Sequence, residues 1–356
     1  NMQVRRDIGW RAPGALLHSY SETGVDIDEG TRAVERMRGA VERTLSDDVL
    51  RGVGSFGGVL SARPILELDD PVLVASTDGV GTKVELAARL GNVRGVGVDI
   101  VNHCIDDVLV QAARPLFFLD YIAAGELDAA LVADVVTGMA DACEAAGCVL
   151  LGGETAEMPG VYAPGAFDVA GTLVGVAERR DLLPRDDVAA GDALIGVGSS
   201  GPHTNGYSFL RKLFEWVPMD TTPPGFDRTL GEALLEPHRS YLTVLDAALR
   251  SGKVKALAHI TGGGLVENLP RVLPDGVDAE IELGSWPRSA LFSLVAELAT
   301  GVDADELHRM LNMGIGMVVV CAATDVAAVQ AAIDEETWVI GALVGGERGQ
   351  RGVHLV

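Results

Sequence analysis

The stretch Pro71-Val-Leu-Val-Ala-Ser-Thr-Asp-Gly-Val-Gly-Thr-Lys83 predicts a short apolar strand, a glycine-rich turn and the start of a helix. Glycine lets backbone N–H groups turn toward an anion without a Cβ in the way. A carboxylate beside such a turn binds a phosphate only through a cation such as Mg²⁺, because like charges repel. We therefore interpret Asp78–Lys83 as part of a site for a metal–nucleotide complex, in which Lys83 neutralises a phosphate. The segment is not a P-loop, because it lacks G-x-x-x-x-G-K-[ST].

The same arrangement recurs along the chain, where three other glycine-rich segments carry polar groups and the first two of them follow predicted strands. These segments are Gly152–Gly160, with Glu154; Gly198–Gly206, with Ser199, Ser200, His203 and Asn205; and His259–Gly264. In the last of them, His259 precedes three consecutive glycines at a predicted helix start, a geometry that suits an anion. Three glycines in a row are costly unless they are used. We therefore expect His259 to be functional.

Acids and a histidine follow the strand–turn–helix segment. Asp99 ends the apolar stretch Val93–Asp99 and is a candidate metal ligand. Asp106 and Asp107 fall on a helix predicted from Ile100, where solvated or capping roles are favoured, although either carboxylate could face the site. His103-Cys104 lacks the partner spacing of a metal site, which favours a packed helix surface.

Strands mixed with helices in both halves predict an α/β or α+β protein of two domains. The polar, proline-containing segment Arg179–Gly191 suits a boundary, so we predict domains at residues 1–178 and 179–356. A helix is predicted over Asp26–Leu45, with Asp26 as its N-cap.

Composition narrows the possible function classes. The chain has 356 residues with 28 Lys and Arg against 51 Asp and Glu, giving a net charge of −23. Such an excess of acid argues against a nucleic-acid or membrane-surface binder, since both need a cationic face. It suits either adaptation to high salt or an acidic protein of a GC-rich genome. The four cysteines form no C-x-x-C pair, and with no apolar leader they predict a cytoplasmic protein.

The chain contains two G-x-G-x-x-G strings, a pattern that is typical of dinucleotide-binding loops. Gly52–Gly57 follows a polar helix end instead of a strand, and Gly196–Gly201 is interrupted by Pro202-His203, so neither favours NAD. G-x-S-x-G is absent, which does not favour an α/β-hydrolase. The Gly52–Gly58 segment remains a flexible loop suited to phosphate.

Long, specific strings give the chain a family resemblance. They include PLFFLDY at 115–121, GGETAEMPG at 152–160, GSSGPHTNGYS at 198–208 and NMGIGM at 312–317, beside Ser19-Tyr20, Gly24–Asp28, Gly52–Gly58, Asp78–Lys83 and His259–Gly264. In this order they closely resemble the phosphoribosylformylglycinamidine cyclo-ligases, over almost the whole chain. The chain departs from the family at Ser21 and Glu42-Arg43-Thr44, where lysines are common, and at His103, where Met is more frequent. Any phosphate role of those lysines passes to Arg43 or is absent.

The resemblance implies a reaction, a fold and an assembly. Formylglycinamidine ribonucleotide and ATP would give aminoimidazole ribonucleotide, ADP and phosphate. Two α/β domains are implied, together with a homodimer in which the N-terminal sheets join and ATP lies near the junction. ATP would phosphorylate the formamide oxygen, and the amidine nitrogen would then attack that carbon, chemistry that needs positioning and charge neutralisation.

Roles can be assigned under this resemblance. Mg²⁺ is assigned to Asp78, Asp99 and Glu154. ATP phosphates are assigned to Gly52, Gly54, Ser55, Gly57, Gly58, Asp78, Gly79, Gly81, Thr82 and Lys83. Substrate is assigned to Ser199, Ser200, His203, Asn205, Thr261, Gly262, Gly263 and Gly264. His259 is the candidate for proton transfer or oxyanion stabilisation, with Lys83 and Asp99 as the other catalytic candidates.

Two rival functions stay open at this point. Another member of the same ATP-binding superfamily, such as a thiamin-phosphate kinase or a selenophosphate synthetase, would share a turn like Asp78–Lys83. It would lack GGETAEMPG and GSSGPHTNGYS. A non-catalytic nucleotide-binding protein is the alternative from another class, although this chain retains the acids, lysine and histidines that a catalyst needs.

Overall fold

The computed structural model describes residues 24–356, so the motif residues Ser19-Tyr20 and the position Ser21 lie outside the described part. The described chain begins with helix α1 (Ile27–Glu42). Asp26 caps it, since its carboxylate accepts hydrogen bonds from the backbone N–H groups of Asp28 and Glu29. The predicted helix and its cap are therefore confirmed, three residues shorter at the C-terminal end.

The first half is built on a four-stranded mixed sheet. Its elements after α1 are β1 (Val49–Arg51), β2 (Val59–Leu60), α2 (Arg63–Leu66), β3 (Pro71–Gly79), α3 (Lys83–Leu90), α4 (Arg94–Leu109), β4 (Arg114–Ala124), α5 (Ala129–Ala145), β5 (Val149–Glu157) and β6 (Phe167–Glu178). The strand order is β3-β6-β4-β5, and only β4 and β5 run parallel. Apolar residues of α4 and α5 pack on one face of this sheet, where Phe118 and Ile122 are fully buried.

The second half is built on a six-stranded sheet. Its elements are β7 (Asp192–Gly198), α6 (Tyr207–Leu213), α7 (Leu230–Leu234), α8 (Leu242–Arg250), β8 (Val254–His259), α9 (Gly264–Asn268), β9 (Val277–Ile281), α10 (Ala290–Leu298), α11 (Ala304–Met310), β10 (Ile315–Ala322), α12 (Val326–Ala332), β11 (Thr337–Gly345) and β12 (Val353–Leu355). The strand order is β12-β9-β11-β7-β10-β8. The mixed α/β architecture is thus confirmed. One hydrophobic cluster joins Leu86 of α3 to Leu210 and Phe214, so the domain boundary at residue 179 stays a prediction.

The helix that carries Asp99 differs from the prediction. The stretch Val93–Asp99 was expected to precede a helix from Ile100, but α4 runs without a break from Arg94 to Leu109. Residues around most of its circumference are buried, including Val96, Ile100 and Val101. A helix buried on several sides lacks the one-sided apolar period that marks a helix in a sequence.

Two strands also differ from the prediction. The segment Gly152–Gly160 was expected to follow a strand, but its residues up to Glu157 continue β5. Gly153 allows this, because a Cβ there would lie 2.1 Å from Asp120 Oδ1 on the neighbouring strand. The strand β8 that leads to His259 was not predicted, although the site now depends on it.

Helix α4 holds a segment of the second half by its main chain. We call Glu236–Tyr241 the clamped segment. Asp99 Oδ1 accepts the His238 N–H at 2.7 Å, Asn102 Nδ2 donates to His238 O at 2.7 Å, and Asp106 Oδ1 accepts the Tyr241 N–H at 2.8 Å. The three side chains recur along one face of α4 at helical spacing. This clamp fixes where the side chain of His238 points.

The other face of the four-stranded sheet is open in the described part of the chain. Leu73 of β3 is 63% exposed and Tyr121 of β4 is 39% exposed, and Ala75 and Thr77 are also exposed. Each points away from α4, because alternate residues of a strand face opposite sides. Among residues 24–356, no helix is long and apolar enough to cross a bilayer.

Candidate functional site

Six ionisable side chains meet where the two halves of the chain face each other. We call them the histidine cluster. They are Asp78 at the end of β3, His103 and Asp107 on α4, His203 after β7, His238 in the clamped segment and His259 at the end of β8. The structure therefore brings together three residues assigned from the sequence, Asp78, His203 and His259.

His103 lies between two carboxylates. Its Nε2 is 2.8 Å from Asp78 Oδ2 and 3.9 Å from Asp107 Oδ2, and its Nδ1 is 2.8 Å from Thr204 Oγ1. Burial opposes a charge on this imidazole, but Asp78 and Asp107 together raise the pKa of His103. His103 is therefore part of the polar site, and its predicted role as mere helix surface was wrong.

A chain of hydrogen bonds links His238, His259 and Asp107. His238 Nδ1 is 2.8 Å from Arg239 O, His238 Nε2 is 3.0 Å from His259 Nε2, and His259 Nδ1 is 2.9 Å from Asp107 Oδ1. A carbonyl and a carboxylate only accept, so both end contacts need an N–H from a ring. The central contact needs one proton more. Two neutral imidazoles carry only two protons, so the three bonds coexist only when His238, His259 and Asp107 together hold a third.

Burial opposes a third proton on the two histidine rings. Desolvation lowers the pKa of His259 and lowers that of His238 well below its usual value. The alternative carrier is Asp107. Burial raises the pKa of this carboxyl, but the hydrogen bond and charge of His259 outweigh it and lower the pKa overall. These directions favour neutral rings on His238 and His259 and a negative charge on Asp107, so that two of the three contacts are hydrogen-bonded at one time.

His203 is fully buried in a left-handed backbone conformation, with φ +60°. Its Nε2 accepts the N–H of Ser200 at 3.2 Å, and its Nδ1 has no partner among the described residues. The ring stacks on that of His238, with centroids 3.9 Å apart. For His203 to contact the substrate as predicted, the substrate must reach the buried Nδ1 edge of the ring.

Lys83 and Asp99 form an ion pair that is 1% and 0% exposed. The Lys83 ammonium donates to Asp99 Oδ1 at 2.8 Å, to His203 O at 3.0 Å and to Glu236 O at 2.9 Å, which uses all three N–H bonds. Burial lowers the pKa of Lys83 and raises that of Asp99, and each charge opposes the shift of the other. In this arrangement Lys83 has no donor left for a phosphate, and Asp99 faces an ammonium instead of a metal. We therefore revise both roles to holding the two halves together.

The rest of the Asp78–Lys83 turn lies against the second half. The backbone N–H of Gly79 donates to Asp78 Oδ1 at 2.7 Å, and Thr82 Oγ1 lies 3.2 Å from Ser208 Oγ. Gly81 has φ +64°, a left-handed conformation that glycine adopts without strain. The Asp78 side chain remains 40% exposed, so one predicted metal ligand is accessible.

The Gly52–Gly58 loop and Glu154 line one cavity of about 700 Å³. Its lining includes Gly54, Ser55, Asp120 and Glu154. Burial, with a smaller contribution from the charge of Glu154, raises the pKa of Asp120 to about 7. A cation would relieve this crowding of negative charge.

The structure separates the three predicted metal ligands. The strand register places Asp78 and Asp120 in one cross-strand row, with only β6 between them, which is a spacing of about 10 Å. Glu154 pairs with Tyr121 and so belongs to the opposite face at the edge of the sheet. Asp99 is buried and faces the ammonium group of Lys83. Asp120 and Glu154 line the same cavity, although their side chains leave the sheet on opposite faces.

Ser199 and Ser200 line a second cavity of about 360 Å³ together with Arg228 and Arg288. Ser200 Oγ donates to Pro237 O at 2.7 Å and Ser199 Oγ lies 3.2 Å from Asn312 Oδ1. Arg228 already pairs with Glu236, so only its remaining N–H groups, beside those of Arg288, favour an anionic ligand here.

The two glycine-rich segments of the second half adjoin each other. A Cβ on Gly262 would lie 3.2 Å from Asn205 Oδ1. Asn268 ties down the Thr261–Gly264 turn, since its Nδ2 donates to Gly262 O at 3.1 Å and to Gly264 O at 2.8 Å. Gly263 and Gly264 have φ +93° and +57°. The predicted substrate residues Asn205 and Thr261–Gly264 are therefore brought together.

Sequence reasoning did not find His238 or Asp120. His238 stands alone in Glu236-Pro-His-Arg239, without the spacing of a ligand pair. Asp120 lies inside the apolar string PLFFLDY, which was noted only for its resemblance. An acid in the middle of a predicted buried strand was the available signal, because buried acids are rare unless they are used.

Comparisons with known proteins agree on one family. Residues 61–177 match the family "AIR synthase related protein, N-terminal domain", and residues 189–354 match "AIR synthase related protein, C-terminal domain". A phosphoribosylformylglycinamidine cyclo-ligase of Desulfitobacterium hafniense is 47% identical over 93% of this chain and 98% of its own. Those of Alkaliphilus metalliredigens and an Anaeromyxobacter species are 44% and 49% identical, over 93% and 91% of this chain and 96% and 95% of theirs.

Solved structures of similar fold have other names. A thiamine-monophosphate kinase from Stenotrophomonas maltophilia superposes with TM-score 0.66 at 20% identity, covering 91% of this chain and 95% of its own. HypE of E. coli superposes with TM-score 0.64 at 18% identity, covering 92% of each chain. At such low identity these likenesses show the fold alone.

Proposed function

The chain belongs to the phosphoribosylformylglycinamidine cyclo-ligase family, and from this membership we propose that it closes the imidazole ring of formylglycinamidine ribonucleotide with ATP, releasing aminoimidazole ribonucleotide, ADP and phosphate. The observation that carries the proposal is the 44–49% identity to cyclo-ligases over nearly the whole chain. The rival thiamin-phosphate kinase shares only the fold, at 20% identity.

We place the ATP phosphates in the cavity of the Gly52–Gly58 loop. Oxygen ligands suit Mg²⁺, and the crowded carboxylates of Asp120 and Glu154 fit such an ion, as does the exposed carboxylate of Asp78. Mg²⁺ would neutralise the phosphate charge there. The spacing of about 10 Å between Asp78 and Asp120 suits a triphosphate that extends from the cavity toward the histidine cluster.

We place the ribonucleotide substrate in the second half. The cavity of Ser199 and Ser200 offers Arg228 and Arg288 to its phosphate, and the adjoining Asn205 and Thr261–Gly264 offer an amide and backbone groups. The formamide and amidine groups would then lie toward the histidine cluster. This placement keeps the substrate assignments made from the sequence.

The reaction requires bond changes at one carbon. The formamide oxygen takes the γ-phosphoryl group, the amidine nitrogen forms the new C–N bond, the C–O bond breaks and phosphate leaves. A proton must leave the attacking nitrogen. Both ring nitrogens of His259 are engaged, by His238 and Asp107, so we propose that His259 handles this proton as a unit with them.

Asp78→Asn tests the proposed function directly. We expect turnover to fall about 100-fold or more, because the variant loses the charge that faces the metal and keeps the side-chain size. The measurement is coupled ADP release with formylglycinamidine ribonucleotide, ATP and Mg²⁺. Asp69→Asn, on the exposed surface, should leave the rate unchanged. Wild-type protein that releases no ADP with this substrate would contradict the function itself.

We further propose that two copies join through the open face of the four-stranded sheet. The apolar side chains of Leu73 and Tyr121 are exposed there, together with partly exposed Phe117, Leu119 and Val174. A contiguous apolar surface of this kind marks an interaction site. The predicted domain boundary at 178/179 and the cytoplasmic location remain part of this proposal, the latter supported by four buried free cysteines.

Light scattering tests the homodimer. Wild-type protein should have twice the chain mass, and Leu73→Asp should shift it toward monomer, because a carboxylate would be buried without a partner. Trp216→Asp is the matched control, since Trp216 is 86% exposed in the second half. A wild-type monomer at micromolar concentration would refute the proposed assembly.

A further inference from the structure

The histidine cluster contains two overlapping sets of three metal-ligating groups within the described residues. One set is His103, Asp107 and His259, and the other is His203, His238 and His259. In each set, one ligand atom per residue lies within 4.8 Å of the others. The two sets share His259, so a single ion would be held by one set or by the other.

Ring orientation separates the two sets. His203 and His238 are stacked, with an interplanar angle of 30°, so their in-plane lone pairs cannot converge on one ion. The rings of His103 and His259 are tilted by 70° with centroids 5.1 Å apart, which allows their lone pairs to converge. Asp107 adds a negative charge and is 30% exposed, which gives an ion a route of entry.

Each residue of the first set has a second contact that orients it. His103 Nδ1 faces Thr204 Oγ1 at 2.8 Å, Asp107 Oδ2 accepts from Ser76 Oγ at 3.0 Å, and His259 Nε2 faces His238 Nε2 at 3.0 Å. Ligating histidines usually have their other nitrogen fixed by such a partner.

We propose that His103, Asp107 and His259 bind a divalent first-row transition ion of the Zn²⁺ class. Two imidazoles and one carboxylate are a ligand set for such ions, whereas Mg²⁺ prefers oxygen ligands alone. Three protein ligands leave coordination positions open for water or a substrate oxygen. An ion on His259 and Asp107 would replace the contact through which we propose that His259 handles a proton, so an occupied site and that proton role exclude each other, and binding is therefore tested without substrate.

The test is binding of Zn²⁺ and Co²⁺ to tag-free, metal-stripped protein in the absence of substrate. Zn²⁺ is measured by competition with a chromogenic chelator, and Co²⁺ by its visible absorption. We expect one equivalent per chain. His103→Leu and Asp107→Asn should each weaken binding by more than the 10- to 100-fold typical of losing an outer contact. Melting curves of both variants verify that they fold.

Two further variants show which of the two ligand sets binds the ion and whether the binding is specific. His203→Asn suits the left-handed backbone and should leave Zn²⁺ affinity unchanged; loss of binding there, with retention in Asp107→Asn, would assign the ion to the three-histidine set instead. His354→Gln removes an exposed histidine that pairs with Asp278 and should have no effect. Wild-type protein that binds no ion at micromolar concentration overturns the proposal.

Discussion

Lys83→Met will lower the free energy of unfolding by about 3–5 kcal/mol, because it leaves the buried carboxylate of Asp99 without its countercharge. The substitution also removes the two hydrogen bonds from Lys83 to His203 O and Glu236 O, which join the halves of the chain. Urea unfolding followed by circular dichroism measures the change. The sequence alone assigned this lysine to the ATP phosphates, whereas the burial of its side chain against Asp99 indicates a structural role.

A second variant separates charge from packing. Lys83→Met combined with Asp99→Asn should recover part of the loss, because the amide oxygen still accepts the His238 N–H without a charge. Lys212→Met is the matched control, since Lys212 is 78% exposed and paired with Glu215 on the surface, and it should cost less than about 1 kcal/mol. A Lys83→Met protein as stable as the Lys212→Met protein would show that the buried pair does not hold the halves together.

His259→Asn should lower turnover by about 10²–10⁴-fold, the range expected when a group that transfers a proton is removed. Coupled ADP release with the ribonucleotide substrate and ATP measures it, and a melting curve shows whether the variant folds. The loss should fall on kcat more than on KM, because His259 faces Asp107 and His238 instead of either cavity.

Asp107→Asn combined with His259→Asn tests whether the two residues act as a unit. If they do, the double variant should be about as slow as the slower single variant, because groups that act together are not additive. His354→Gln, which removes an exposed histidine–aspartate pair, should keep the wild-type rate. Losses that multiply would mean that Asp107 and His259 act independently, and a normal rate in His259→Asn would remove His259 from the mechanism.

Sequence reasoning succeeded where local chemistry and fold agree. The strand–glycine–helix pattern at Asp78–Lys83 is present, and the segments of Asn205 and Thr261–Gly264 do adjoin. The family resemblance is confirmed by relatives that cover nearly the whole chain. Each of these features depends on short stretches of sequence, in which backbone preference and hydrogen-bonding groups can be recognised residue by residue.

Sequence reasoning failed where burial in the folded chain determines the role of a residue. Lys83 resembles a phosphate ligand in every local respect, and only the carbonyls of His203 and Glu236, far along the chain, reveal its use. Asp99 was placed at the end of an apolar stretch that precedes a helix, because the helix that contains it is buried around most of its circumference. His238 has no local signal at all, since its position is set by Asp99 and Asn102 of another segment.

The clamp on Glu236–Tyr241 has an evolutionary consequence. Asp99, Asn102 and Asp106 grip peptide N–H and C=O groups, which every residue other than proline supplies alike. Substitution at position 238 therefore leaves the docking intact while it exchanges the chemical group that is delivered to the cleft. Docking of this segment thus requires the three gripping side chains and does not require a histidine at position 238.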